Sequence, residues 1–106
     1  MEMSKSDWKL YRQKIAGWQE AYIERLNKEY IDLLSVDEKK ASEKFWELVE
    51  RIKKDRCHPG VIVEMRKSNA VYDIVRLIRL GVILYDDLKD FSTDLQQTVK
   101  MLLDRC

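Results

Sequence analysis

The sequence predicts an all-α fold: a single-domain helical bundle (residues 1–106) of four to five helices with a long N-terminal helix. Glycine and proline supply only four of the 106 residues, against about 12% in an average protein, so few hairpins or glycine-rich loops can form. Hydrophobic residues make up 45% of the chain, enough for a folded core. They recur at every third or fourth position over long stretches, which is the period of an α-helix.

The first helix is predicted over residues 7–34, with Ser6 or Asp7 as its N-terminal cap. Its apolar stripe consists of Trp8, Tyr11, Ile15, Trp18, Tyr22, Leu26, Tyr30 and Leu33. Such a helix would be about 42 Å long, whereas a compact domain of this size is about 33 Å across. We therefore expect that the helix overhangs the domain, bends near Gly17 or pairs with another chain.

The second helix is expected to start at a capping box formed by Ser35 and Glu38, which can satisfy each other's backbone donors. Its apolar stripe comprises Ala41, Phe45, Leu48, Val49 and Ile52, with Trp46 at the margin. It ends in a basic run, and residues 57–60 then form a loop that holds the only proline.

Residues 61–80 are apolar nearly all round, which predicts a buried central helix. This stretch forms either one helix or two, with a kink at residues 67–69 where Ser68 or Asn69 can cap a new start. A strand at residues 61–63 is disfavoured because no partner strand is predicted. Gly81 is expected to end the helix in the left-handed conformation.

The remaining chain predicts a short helix over residues 86–91 and a last helix from Ser92 or Thr93 to about Asp104, with Thr93 and Gln96 at capping-box spacing. Residues 57–81 carry four basic and two acidic side chains, and the following 25 carry three basic and five acidic ones. We expect these two segments to attract each other.

The residues that could do chemistry are few and scattered. The single histidine, His58, adjoins Cys57, but neighbouring side chains on a loop point apart, so we expect an exposed histidine rather than a catalytic pair. Cys57 and Cys106 lie far apart and are expected to be reduced, structural or surface residues. The acids at positions 86, 87, 90 and 94 fit helix N-termini better than a calcium loop. We predict no enzyme activity, no cofactor and no metal site.

The charge balance argues against nucleic acid as a partner. Twenty basic and nineteen acidic residues give a net charge of +1. A helix-turn-helix-like turn at residues 77–82 leads into an acidic segment that phosphates would repel. No apolar run is long enough to cross a membrane, and no signal segment is present, so a cytoplasmic protein without a transmembrane segment is expected.

An aromatic stripe on the first helix is the remaining functional candidate. Trp8, Tyr11, Trp18 and Tyr22 place four large rings along one face. They form either a core seam or, if the N-terminal half of the helix overhangs, an interface for a partner, since Trp and Tyr are enriched as interface anchors.

Several short segments carry a resemblance to known proteins: residues 18–23, 29–30 and 44–46, Gly81 to Ile83, and residues 87–88 and 91–92. In these the chain resembles small, uncharacterised, single-domain helical proteins of Gram-positive bacteria. The resemblance covers most of the chain and implies a bacterial, cytoplasmic protein, but it supplies no functional residue.

The sequence therefore predicts a non-enzymatic protein-interaction or regulatory module that binds a protein partner or itself as a homodimer. One alternative is a bacteriocin-immunity-like bundle that binds a toxin or receptor. A second alternative is a regulator weakly associated with nucleic acid.

Overall fold

The computed structural model describes residues 2–105 and contains four α-helices and two short 3-10 turns. The helices are α1 (Lys5–Leu34), α2 (Ala41–Asp55), α3 (Ala70–Arg79) and α4 (Thr93–Leu103), and the turns are Lys67–Asn69 and Tyr85–Leu88. No strand occurs in these residues. The predicted all-α fold with a long N-terminal helix is confirmed.

Helix α1 begins at Lys5, two residues before the predicted start at residue 7. Its cap is Ser4, whose hydroxyl accepts the backbone N–H of Asp7 at 3.2 Å. The predicted caps, Ser6 and Asp7, are wrong, because the buried Asp7 carboxylate is taken by Ser92 in the α4 cap. The helix runs through Gly17 without interruption.

The predicted capping box between Ser35 and Glu38 is also wrong. Ser35 ends α1 instead, since its backbone N–H and its hydroxyl both donate to the carbonyl of Ile31, at 3.0 and 2.7 Å. A residue that closes one helix in this way is not free to open the next. Helix α2 starts later, after Lys40, and has no side-chain cap.

Within residues 61–80 the only α-helix is α3, whereas the sequence predicted one long helix or two helices separated by a kink. The N–H groups of Val61 and Ile62 bond the carbonyl of His58, which closes the loop, and residues 62–66 then form neither helix nor strand. This stretch begins with β-branched residues, which have little helix propensity. The 3-10 turn leads into α3, where Asn69 makes no side-chain cap.

The end of α3 follows the sequence prediction. Gly81 has a φ of +74°, the left-handed region that favours glycine. The N–H of Val82 bonds the carbonyl of Leu77 at 2.9 Å and the N–H of Gly81 bonds that of Ile78 at 3.0 Å, the two bonds of a Schellman motif. This prediction is confirmed.

The last two elements differ in detail from expectation. The short helix predicted over residues 86–91 is a 3-10 turn that starts at Tyr85 and ends at Leu88. Ser92 is the cap of α4 and accepts the N–H of Leu95. The Thr93–Gln96 box does not form, because the Gln96 amide donates to the carbonyl of Phe91.

One hydrophobic core joins α1, α3, α4 and the connection between α3 and α4. Helix α1 contributes only from its first half, through Tyr11 and Ile15. The other elements contribute Ala70, Val71, Ile74, Val75, Leu77, Val82, Ile83, Leu88, Phe91, Leu95, Val99 and Leu102, and Met3 precedes α1. No described helix combines the length and the apolar character needed to cross a membrane.

The molecule is elongated, as the length of the first helix predicts. Its principal extents are 52 × 25 × 19 Å and its radius of gyration is 16.8 Å, against about 13 Å for a compact chain of this length. The 30 residues of α1 span about 45 Å. Helix α1 therefore reaches well beyond the core.

The attraction expected between residues 57–81 and the segment that follows takes a different form. Within residues 2–105 no ion pair joins the two segments. Arg79 instead donates to the carbonyls of Leu102 and Arg105, at 2.7 and 3.0 Å, where α4 ends. A cation at a helix C-terminus satisfies carbonyls that have no partner within the helix.

Candidate functional site

The four predicted interface residues lie on the side of α1 that faces the rest of the chain. Tyr11 is 0% exposed, and Trp8, Trp18 and Tyr22 are half-buried against the core. The rings of Trp8, Tyr11 and Trp18 form a row with Phe91, in which Tyr11 lies 6.0 Å from Trp8 and 6.2 Å from Trp18. Such tilted pairs at 4.5–7 Å are typical of packed interiors. The row therefore stabilises the chain's own fold, and Tyr11 has no surface to offer a partner.

The part of α1 that extends beyond the core is its C-terminal end. Leu26 is the last buried residue of the helix, and the turns beyond it lie beside α2. We call residues 27–55, the end of α1 with the loop and α2, the arm, and the remainder of the described chain the body. Of the two alternatives for the N-terminal half, a core seam or an overhanging interface, the structure has the core seam, because residues of α3 and α4 pack against it.

The two helices of the arm meet largely through polar groups. Arg51 on α2 donates to Glu29 at 2.6 Å and to Asp55 at 2.9 Å. The Tyr30 hydroxyl donates to the same Asp55 carboxylate at 2.7 Å. Asp55 is the only buried residue of α2. Burial and this hydrogen bond raise the pKa of Tyr30 to about 12, so the phenol stays protonated and keeps donating.

Because α2 directs its polar flank toward α1, much of its apolar stripe has no cover. Phe45 is 55% exposed, Trp46 62% and Ile52 43%. The rings of Phe45 and Trp46 contact each other edge to face at 5.0 Å. The largest members of the predicted stripe of α2 are therefore exposed rather than packed against the rest of the chain.

Two residues of α1 extend this apolar surface across the arm. Ile52 lines a groove of about 170 Å³ together with Tyr30. Leu34 follows Tyr30 by one helical turn and Phe45 precedes Ile52 by two, so both lie on the groove side of the arm. Ile31, 61% exposed, flanks them. We define the arm face as the exposed apolar residues of this surface: Ile31, Leu34, Phe45, Trp46 and Ile52.

A stacked pair of rings packs α1 against the loop that follows α2, close to both ends of the arm. The rings of Tyr22 and His58 lie 4.7 Å apart and within 10° of parallel. The Nδ1 atom of His58 accepts the N–H of Gly60, and Gln19 donates to the carbonyl of Pro59. A Cβ at Gly60 would overlap the ring of Tyr22, so only glycine allows this approach. The prediction that His58 is an exposed loop residue is wrong.

The stability of the protein is expected to fall as the pH drops below about 6.5, the ordinary pKa of histidine. Burial lowers the pKa of His58, the positive charge of Arg76 lowers it further, and Asp55 partly opposes them. The unfolded chain therefore takes up a proton at a pH where the folded chain does not, and stability is lost as the pH falls from this value through the lower pKa of the folded state. Urea unfolding between pH 7.5 and pH 5.5 measures the effect.

The control for this prediction is His58→Phe, which keeps a stacked ring and cannot titrate. Since the chain has a single histidine, the difference in slope between wild type and variant belongs to His58. Equal slopes for the two proteins would contradict the prediction.

The groups that could perform chemistry do not assemble into a recognisable site in residues 2–105. No group of three or more His, Cys, Asp or Glu side chains there could hold a metal ion. The Cys57 thiol is exposed, and its sulfur lies 3.9 Å from the carbonyl of Lys53. Cys106 lies outside the described residues.

Comparisons with protein-family models, with curated proteins and with solved structures found no match to the chain. The resemblance to helical proteins of Gram-positive bacteria stays an expectation.

Sequence reasoning placed three residues of the arm face, Phe45, Trp46 and Ile52, in or beside an apolar stripe, but it did not find their exposure. Ile31 and Leu34 lie outside the predicted stripe of the first helix. The sequence of the second helix contains a signal for this exposure. Cationic Lys44 and Arg51 lie beside Leu48 on one edge of the apolar stripe. A helix that packs through such an edge leaves the centre of its stripe uncovered. The sequence does not show which edge faces α1.

Proposed function

We propose that this chain is a non-enzymatic protein-interaction module whose binding element is the arm face. One observation carries the proposal: five large apolar side chains, each between 43% and 62% exposed, lie on the two helices of the arm and outside the core cluster. Scattered exposed apolar residues are ordinary, but a contiguous patch of this kind marks interaction sites.

The anchors of the interaction are the two aromatic rings of the arm face, Phe45 and Trp46. Phe and Trp are enriched in the buried centres of protein interfaces, and a few such residues supply most of the binding energy. Phe45 and Trp46 contact each other and are therefore partly ordered before a partner arrives. This assignment moves the proposed interface from the aromatic row of α1 to α2.

The body serves to hold the arm in place. Just before the arm begins, two contacts hold α1 against other elements of the body. Arg25 donates to the carbonyl of Gly81 at 2.7 Å, and the ring of Tyr22 stacks on that of His58. A rigid attachment lowers the entropic cost of ordering the arm when a partner binds. The free thiol of Cys57 suits a reducing compartment, and we place the module in the cytoplasm.

Photo-cross-linking in the cells that make the protein tests the proposal. With p-benzoylphenylalanine in place of Trp46, we expect a discrete cross-linked protein, which mass spectrometry then identifies. The matched control places the same residue at Tyr72, which is 52% exposed on α3. The same product should disappear when Phe45→Glu is added to the position-46 probe, because a buried charge without a partner is strongly unfavourable.

Equal products from positions 46 and 72, or none from position 46, would contradict the proposal. A toxin or receptor identified in this way would favour the bacteriocin-immunity-like alternative within the same class of function.

A further inference from the structure

We infer that the partner of the arm face is a second copy of this chain, so that two arms pack face to face into a four-helix bundle. The inference rests on the proposed function, because it names the occupant of the same surface. Three observations support a second copy: the number of helices in the arm, the area of its face and its charge.

An arm of two helices cannot bury its own apolar surface. Of its residues only Asp55 is buried, and Leu48 and Val49 of α2 are half-buried. Helices reach a closed core when four of them surround it, and a second arm supplies the two that are missing. In a two-fold dimer each arm face then covers the same face of the other copy.

The exposed area matches what one side of a dimer contributes. The five residues of the arm face together expose on the order of 500 Å² of apolar surface, at about 200 Å² for a large side chain. A standard interface buries about 800 Å² per partner, of which about 60% is apolar. The arm face therefore suffices for the apolar part of such an interface.

The charge of the arm permits association with itself. Residues 27–55 carry eight acidic and seven basic side chains. A nearly neutral surface does not repel an identical copy, and low net charge favours association. The same neutrality gives no attraction to nucleic acid or to an anionic membrane.

Sedimentation equilibrium of the purified chain tests the inference, over protein concentrations from about 1 to about 300 μM, which bracket a Kd of about 10 μM. The average mass should rise with concentration from the 12.7 kDa of one chain toward twice that value. Phe45→Glu on α2 and Ile31→Glu on α1 should each weaken association at least tenfold. Tyr72→Glu, on an exposed face of the body, should dimerise like wild type.

Circular dichroism tests whether each variant keeps its helices. If Phe45→Glu fails to fold, Ile31→Glu provides the second measurement. A wild-type chain that stays at 12.7 kDa at the highest concentration overturns the inference. A dimer that both arm variants leave intact overturns it as well, because another surface then forms the contact. If the wild-type chain stays monomeric, a different protein cross-linked at position 46 would still support the proposed function. If no cross-linked product forms either, both the inference and the proposed function are overturned.

Discussion

Replacing Tyr11 by alanine is expected to lower the free energy of unfolding by about 3–5 kcal/mol, the cost of removing a large aromatic side chain from a core. Tyr11 is 0% exposed and lies between Trp8 and Trp18 in the aromatic row. The cavity left by the ring would have walls from α1 and α3 that cannot collapse independently. Chemical unfolding monitored by circular dichroism measures the loss.

Two further substitutions separate core from interface. Trp46→Ala, measured at a concentration low enough to keep the chain monomeric, should change stability by no more than about 0.5 kcal/mol, because the ring is mostly exposed. Tyr11→Phe should be neutral or stabilising, since the buried hydroxyl has no hydrogen-bond partner in residues 2–105. A small loss for Tyr11→Ala together with a large one for Trp46→Ala would show that the assignment of core and interface is reversed.

Replacing Asp7 by alanine is expected to cost about 2–3 kcal/mol, because it removes a buried charged acceptor from two donors. The Asp7 carboxylate accepts the backbone N–H and the hydroxyl of Ser92, 85 residues away along the chain. The Ser92 hydroxyl in turn caps α4 by accepting the N–H of Leu95. Loss of Asp7 therefore leaves a backbone donor without a partner and loosens the start of α4.

Asp7→Asn is the matched variant, because it retains an acceptor oxygen while losing the charge. We expect it to keep more than half of the lost stability in the same unfolding experiment. If Asp7→Ala were as stable as wild type, the contact between α1 and the α4 cap would not contribute to folding.

Much of the fold could be predicted because it depends on short-range patterns. The stripe from Trp8 to Leu33 repeats at the helical period and defines α1. Gly81 ends α3 because only the left-handed conformation brings the N–H of Val82 to the carbonyl of Leu77. Such features require only neighbouring residues and the geometry of the backbone.

The errors occurred where one side chain had two possible partners. Ser35 can open a helix or close one, and it bonds the carbonyl of Ile31 at the end of α1. Asp7 can cap α1 or reach Ser92, and the distant partner prevails. In both cases the competing bond is of similar strength, so local sequence does not decide between them.

The candidate site was predictable in composition and not in position. Hydrophobic periodicity identified Phe45 and Ile52 as members of an apolar stripe, and the length of α1 predicted that it would overhang, bend or pair with another chain. The periodicity and the helix length do not show that α3 and α4 cover the N-terminal half of α1. They also do not show that α2 contacts α1 through Arg51 and Asp55.

By itself, the sequence of this protein determined the class of fold, the length of the first helix and the end of α3. Only the tertiary structure decided which half of α1 joins the core and which apolar face of the arm stays uncovered. The physical reason is that helix formation depends on residues three and four positions apart, whereas burial depends on which elements meet. In this protein α3 and α4 pack against the N-terminal half of α1, whereas only α2 packs against its C-terminal end.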